Sequence, residues 1–412
     1  MLDQTTLKGR IKQVVQGIPS QFDQIALLKN TVIKMLPANS YLQSPLTGAQ
    51  INVLPSVEEH GGSQWLYLTI HVPVAAALAG QNMIHNGLEA LPQELKCLRR
   101  LLKYVLTYFQ LTADEINQFL TSLEVQLLEL TWHTATSSRR AATLLQARTI
   151  THFKALQKAK GRHDVEVNDV DIWWRNDKTC MLVTFKDDSQ FRQYIKAEQA
   201  TSRTKANRRA CFVSKKMRSH FAAILTAIDT HLRNEVILSQ KLLAERGLLH
   251  PRSWTAEKLE TAIEHVMTMG RLNQRRVSHF ADLKHDGLSP EVVATAERYF
   301  AGKVLVESMK PQVLSKHRGI LQKKNLDIAE KRPPSRAKSI SRAGMQLQYS
   351  KRWVPDKQLG VLAVGEHGGP AIFEMLDQKL AEIEAARQVT PLETEATASI
   401  LGHCASYGEE PQ

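Results

Sequence analysis

Residues 183–196 read Val-Thr-Phe-Lys-Asp-Asp-Ser-Gln-Phe-Arg-Gln-Tyr-Ile-Lys, two apolar segments separated by the polar turn Lys186-Asp-Asp-Ser. A segment of this pattern reads as a β-hairpin, which commits this part of the chain to an antiparallel sheet. On a strand, residues i and i+2 face the same side, so the Tyr194 phenol and the Lys196 ammonium can address one target. A phosphodiester is such a target. A tyrosine hydroxyl can attack phosphorus and hold the broken strand as a phosphotyrosyl ester, while a neighbouring cation offsets charge developing on the phosphoryl oxygens. A half-buried strand with a solvated lysine has the same local pattern, so the rest of the chain must decide.

The charge balance favours a polyanionic partner. The chain has 54 Lys and Arg against 41 Asp and Glu, a net charge of +13. Between 309 and 352 there are twelve basic residues (310, 316, 318, 323, 324, 331, 332, 336, 338, 342, 351 and 352) against Asp327 and Glu330, a local excess of ten. A second block, 202–220, contains Arg203, Lys205, Arg208, Arg209, Lys215, Lys216 and Arg218 with no acid. Basic runs also occur as solvated faces or linkers, but two of them in one chain favour a surface that tracks phosphates. No apolar run approaches the roughly 20 residues of a spanning helix, and the N-terminus lacks the basic start and apolar centre of a signal peptide. A membrane partner is therefore not expected. Cys97, Cys180, Cys211 and Cys404 form no Cys-x-x-Cys pair, which argues against a zinc ribbon or a disulfide framework and suits the free thiols of a cytosolic protein.

The length favours two or three domains. A short strand is expected over 1–8, a helix over 11–36, and strands over 64–72 and 123–133. Helices are expected over 92–109 and 139–158, and short strands over 165–174, 179–185 and 191–195. Beyond Phe212 helices dominate, at 216–249, 255–269, 290–300 and 311–322, with another at 372–388. A Pro, Ser and Arg-rich stretch at 331–341 reads as a linker, and the last residues as a polar tail without fixed structure. The fold class is α+β: an N-terminal antiparallel-sheet domain over 1–250, a helical region over 251–330, and a basic linker, short helix and tail over 331–412.

Taken in order, several segments carry a family resemblance. They are the opening Met1-Leu-Asp; 70–82, which ends Gly-Gln-Asn; 128–133, with Glu129 on a strand; the hairpin with Thr184, Phe185, Ser189, Tyr194 and Lys196; 232–248, with Arg233-x-Glu235; and 317–328, with His317-Arg and Leu326-Asp-Ile. Together they resemble the gene II/X family of replication initiators of filamentous phages and related plasmids. Gln81 stands where that family usually has histidine, and Leu127 stands where it has arginine.

The resemblance implies a site- and strand-specific endonuclease of the rolling-circle type. It would nick double-stranded circular DNA at an origin, leave a 3′ hydroxyl for polymerase, and later rejoin the displaced single strand. Double-stranded origin DNA, single-stranded DNA and a host helicase and polymerase are the implied partners, in the cytoplasm of a bacterial host. Tyr194 would be the nucleophile, with Lys196 and Arg192 on phosphate oxygens. Mg2+ or Mn2+ would polarise the phosphate. On an extended segment Glu129, Thr131 and His133 share a face, as do Arg233 and Glu235. Glu129, Glu235 and His133 are thus the candidate ligands, with His71 a weaker one. Pairing of both glutamates with Arg or Lys on the sheet remains open, and Asp187 and Asp188 suit a turn better than a metal. Expected DNA contacts are Arg233, Ser189, Arg208, Arg209, Lys215, Lys216, Lys316, Arg318, Lys323 and Lys324, with 292–303 and 311–322 spaced like a helix-turn-helix. Trp173, Trp174 and Trp353 could stack on unpaired bases, though aromatics near strands are more often core. The alternative is a DNA-binding repressor or degenerate initiator without enzymatic activity, and a tyrosine recombinase ranks lower still.

Overall fold

The computed structural model describes residues 2–13, 41–109, 111–159, 171–174, 180–201, 217–270, 272, 280–283, 285–324, 326, 328, 347–363 and 368–389. Nine strands form one antiparallel sheet among these residues: β1 Leu2–Gln13, β2 Tyr41–Gln43, β3 Gln50–His60, β4 Ser63–Val72, β5 Glu124–Ala135, β6 Asp171–Trp174, β7 Cys180–Thr184, β8 Gln190–Tyr194 and β9 His231–Ser239. Their spatial order is β2-β3-β4-β1-β5-β9-β8-β7-β6. The protein is thus a mixed α and β structure built on an antiparallel sheet.

Alternation explains why the sheet has one apolar face and one polar face. Leu7 lies across from Ile70 and Val125, Leu128 from Leu238, Leu130 from Val236, and Phe191 from Val236 and Val183. All of these are buried in one hydrophobic cluster with residues of the helices Leu91–Tyr108, Ala113–Thr121, Arg139–Ala159 and Ala256–Met269. At roughly 25 cal/mol per Å2 of apolar surface removed from water, this shared core is the main source of stability. The packing is tight at Gly9, where an added Cβ would lie 2.6 Å from a Phe119 ring carbon. The opposite face carries Lys8, Thr69, Tyr67, Glu129, Thr131, His133, Arg233, Glu235, Arg192 and Tyr194.

Two turns set the register. The β3–β4 hairpin closes at His60 and Ser63 around Gly61 and Gly62, whose φ values of 60° and 74° suit the two-residue turn that matches strand twist. The expected β7–β8 hairpin is present, and Asp187 and Asp188 act as its turn residues: Phe185 N donates to Ser189 O at 2.9 Å, and Asp188 takes φ 62°. Asp187 Oδ1 accepts the Ser189 amide, and Asp187 O accepts the Ser239 hydroxyl, which ties the turn to the end of β9.

Several expectations change. The short N-terminal strand is a twelve-residue strand at the middle of the sheet, so residues 11–13 are extended rather than helical; 14–40 lie outside the described residues. The helix expected over 216–249 is overturned. In its place are the helix Phe221–Ile228, strand β9 and the helix Gln240–Glu245. Its central stretch pairs with β5 on one side and β8 on the other, and burial on both faces overrides any helical preference. Strand β3 did not register in the sequence because Pro55 and the polar Ser56 to His60 end blur its alternation.

After β9 only helices occur among the described residues. Ala256–Met269 joins the large core, whereas Pro290–Phe300, Leu305–Ser308 and Pro311–Lys323 enclose a second, smaller one made by Val292, Ala296, Tyr299, Leu305 and Leu321. Residues 347–353 return to the large core through Leu347 and Tyr349, and Gly368–Val389 packs there through Ile372, Leu376 and Leu380. The turn after Trp174, the expected linker at 331–341 and the tail from 390 lie outside the described residues.

Candidate metal and phosphoryl-transfer centre

Strand register assembles the site. In one cross-strand row Thr131, Glu235 and Arg192 lie side by side, and in the next His133, Arg233 and Tyr194. The expected shared face of Glu129, Thr131 and His133, and that of Arg233 and Glu235, therefore exist because 231–239 is extended. Asp3 completes the group. It sits at an irregularity in the β1–β5 pairing between Leu2 and Gln4, and a bulge of this kind re-aims a side chain.

Arg233 is the hub. Its side chain is 0 % exposed; Nε donates to Glu235 Oε1 at 2.6 Å, Nη2 pairs with Asp3 Oδ2, and Nη1 donates to the Asn82 carbonyl. Arg192 Nη1 donates to Glu235 Oε2 at 2.9 Å and lies 3.6 Å from Glu129 Oε1. The Tyr194 hydroxyl donates to Glu235 Oε1 at 2.6 Å. Carboxylate oxygens of Asp3, Glu129 and Glu235 lie within 4.8 Å of one another, close enough to share one cation.

The electrostatics single out Glu129. Three carboxylates face two guanidinium groups, and buried charge is costly unless paired. Burial would raise the Glu235 carboxyl, but Arg233 and Arg192 outweigh it and hold it at about 2. Burial, reinforced by the charges of Glu235 and Asp3, pushes Glu129 well above the usual carboxylate range, and Arg192 only partly offsets this. Burial also raises Tyr194 well above an ordinary phenol; Arg233 opposes this, while Glu235 and Asp3 add to it. The donor set fits a hard divalent cation, since it is all oxygen and one negative charge in excess. A bound cation would take the place of the Glu129 proton.

A row of imidazoles borders the acids. His133 is 2 % exposed and neither ring nitrogen has a hydrogen-bond partner among the described residues. Its ring stands 6.3 Å from that of His85 and 6.2 Å from that of His231. His85 Nε2 approaches Asp3 Oδ1 at 3.9 Å. Burial first, and Arg233 next, keep His85 and His133 neutral, and burial lowers His231 to about 4. Trp353 closes the row, with its ring 4.5 Å from His231 and its amide donating to His133 O at 2.7 Å.

Against expectation, His133 lies outside the carboxylate group; Asp3 takes that place. Lys196 is not on the strand with Tyr194: β8 ends at Tyr194, and Lys196 opens the helix Lys196–Ala200. Its ammonium, buried and bonded to Gln199, still lies 5.7 Å from the centre of the Tyr194 ring. Arg233 is not a DNA-facing contact, because its guanidinium is buried and committed to Asp3 and Glu235. Ser189 is likewise buried, with its hydroxyl on Asp187. His71 hydrogen-bonds to Thr6, away from the carboxylates. His317 is buried against Thr295 and is not poised for a groove, whereas Lys316 is exposed, Arg318 is half-buried, and Lys324 donates to the Asp286 carbonyl. The side chain of Lys323, those of Trp173 and Trp174, and residues 208, 209, 215 and 216 lie outside the described residues.

The sequence also missed Asp3, His85 and His231. Asp3 carried one signal, an acid at the third position of a strand otherwise rich in apolar and threonine residues. Nothing local marked the two histidines. No protein family, curated protein or solved structure matches this chain.

Proposed function

We propose that this protein is a metal-dependent DNA strand transferase that nicks one strand of a double-stranded circular origin through Tyr194, starts rolling-circle replication and later reseals the displaced strand. The observation that carries the reading is Tyr194 itself, a phenol 2.6 Å from a carboxylate of a three-acid group, with two arginines and a lysine around it. Asp3, Glu129 and Glu235 would hold Mg2+ or Mn2+, which when bound polarises the scissile phosphate and eases loss of the phenol proton.

The chain's own groups supply the rest. Tyr194 Oη forms the bond to phosphorus as its proton passes to water; the bond from phosphorus to the 3′ oxygen breaks, and that oxygen takes up a proton from water. The 5′ end stays on the tyrosine as an ester that keeps the energy of the phosphodiester, so resealing needs no nucleotide cofactor. Glu235 orients the phenol but is a weak base at about 2, so its role is positioning. Arg192, on the open side of the cluster, and Lys196 stabilise the phosphoryl oxygens. The 290–323 helices, with Lys310 and Lys316 exposed, contribute origin contacts in this reading.

A second reading, a DNA-binding protein without cleavage, draws on the burial that keeps Tyr194 protonated. One experiment separates the two. Supercoiled DNA carrying the protein's own origin is incubated with Mg2+ or Mn2+, and denaturing gels are read for a strand-specific nick and a covalent protein adduct. The strand transferase gives both and loses both in Tyr194→Phe while keeping origin binding. Binding without a nick in either metal overturns it.

A further inference from the structure

A cleft of about 500 Å3 opens where β5 begins, apart from the carboxylate group. Its walls come from the helix Leu91–Tyr108, the end of the helix Ala113–Thr121 and the turn Pro251–Ser253. The floor is apolar: Leu98, Leu102, Leu123 and Trp254 are buried in the large core, and Leu95 and Leu120 pack against it half-exposed. Lys96, Arg99 and Arg252 stand on the rim. All three are exposed, no carboxylate lines the cleft, and no acidic side chain pairs with them among the described residues.

Some exposed cations in this protein find acids, as Lys12 does with Glu115 and Arg139 with Glu198 and Asp229. Three cations without counter-ions around an apolar floor leave both charge and greasy surface unmatched at one place. A ligand that answers both must be anionic and carry a bulky apolar group. Nucleic-acid phosphates would match the rim, but the leucine and tryptophan floor calls for aliphatic or aromatic side chains.

We propose that this cleft is a docking site for an acidic peptide segment of a partner protein, with one bulky apolar side chain seated on Leu95 and Leu120 and its carboxylates on Lys96, Arg99 and Arg252. Such a site would recruit a second protein without touching the Tyr194 centre. It does not depend on that centre's chemistry.

The test uses the full chain and a fluorescein-labelled hexapeptide of three glutamates followed by leucine, proline and phenylalanine, read by fluorescence anisotropy. Saturable binding is expected. Affinity should fall at least about ten-fold in Lys96→Glu/Arg99→Glu, by the 1.4 kcal/mol-per-decade relation, and similarly when glutamine replaces the peptide's glutamates or alanine its phenylalanine. Unchanged thermal melting of the variant shows that the loss is not misfolding, and Arg252→Glu provides an independent variant on a different element. The proposal is overturned by no saturable binding, by binding that the charge reversals leave intact, or by binding that a phenylalanine-free acidic peptide or a short oligonucleotide of equal charge matches, which marks a polyanion surface instead. Loss of peptide binding in step with dimer formation in sedimentation also overturns it, in favour of a second copy.

Discussion

The Tyr194 hydroxyl donates a 2.6 Å hydrogen bond to the same Glu235 oxygen that accepts Arg233 Nε at 2.6 Å. Nucleophile candidate and structural hub are thereby joined through one carboxylate atom. Replacing Tyr194 with Phe should abolish the covalent adduct and leave origin binding unchanged. It should also destabilise the fold by about 2 kcal/mol, the range for a hydrogen bond to a charged group. Urea unfolding and a binding gel check both halves; an adduct that persists in the variant would point to another nucleophile.

Arg233 neutralises two carboxylates in a dry site. Arg233→Met should cost about 3–5 kcal/mol, because removing one partner leaves buried charge uncompensated. Adding Asp3→Asn to that variant should recover part of the loss, since Asp3 has no second arginine whereas Glu235 keeps Arg192. Denaturant midpoints of the single and double variants measure this. A single variant as stable as wild type would mean that the cluster is hydrated.

The two glutamates act in opposite directions with pH. Glu235, held at about 2 in the fold against roughly 4.3 unfolded, contributes stability that is complete above that unfolded value and lost as pH falls towards 2, on the order of 3 kcal/mol. Glu129 is raised, so its contribution is complete below roughly 4.3 and lost as pH rises through its folded value. Glu129→Gln should therefore stabilise the metal-free protein at alkaline pH. Tm against pH for both proteins tests the sign; a variant that is less stable throughout contradicts it.

A cation at Asp3, Glu129 and Glu235 must displace the Glu129 proton. Mn2+ at a hundred times its Kd should add about 2.7 kcal/mol of stability, with greater affinity at higher pH. Calorimetry in two buffers of different ionisation enthalpy should register proton release. Glu129→Gln and Asp3→Asn should each lose the thermal shift, and a full shift in both places the ion elsewhere.

Gly9 of β1 faces Phe119 of the helix Ala113–Thr121, which packs on the sheet. A Cβ there would lie 2.6 Å from the ring and 2.8 Å from the Phe119 carbonyl oxygen, so Gly9→Ala should destabilise by about 1–3 kcal/mol, the range for overpacking. Chemical denaturation gives the value directly. No effect would show that the helix Ala113–Thr121 yields.

What the sequence determined by itself was local. The β7–β8 hairpin, the strands around Trp65 and Glu129 and the helices expected over 92–109, 139–158 and 255–269 followed from period and turn chemistry, which depend on near neighbours. The shared face of Glu129 and His133 was legible too, because alternation fixes it once a segment is extended. Tertiary structure decided the rest. Residues 231–239 became a strand because β5 and β8 bury them from both sides. Asp3 reached Arg233, 230 residues away, because β1 pairs with β5 and is irregular where Asp3 sits. Arg233, read as a DNA contact from its charge, became the buried hub because two acids and a carbonyl surround it. A residue's charge is written in the sequence, but whether it meets water or a carboxylate is set by strand order, which local pattern does not carry.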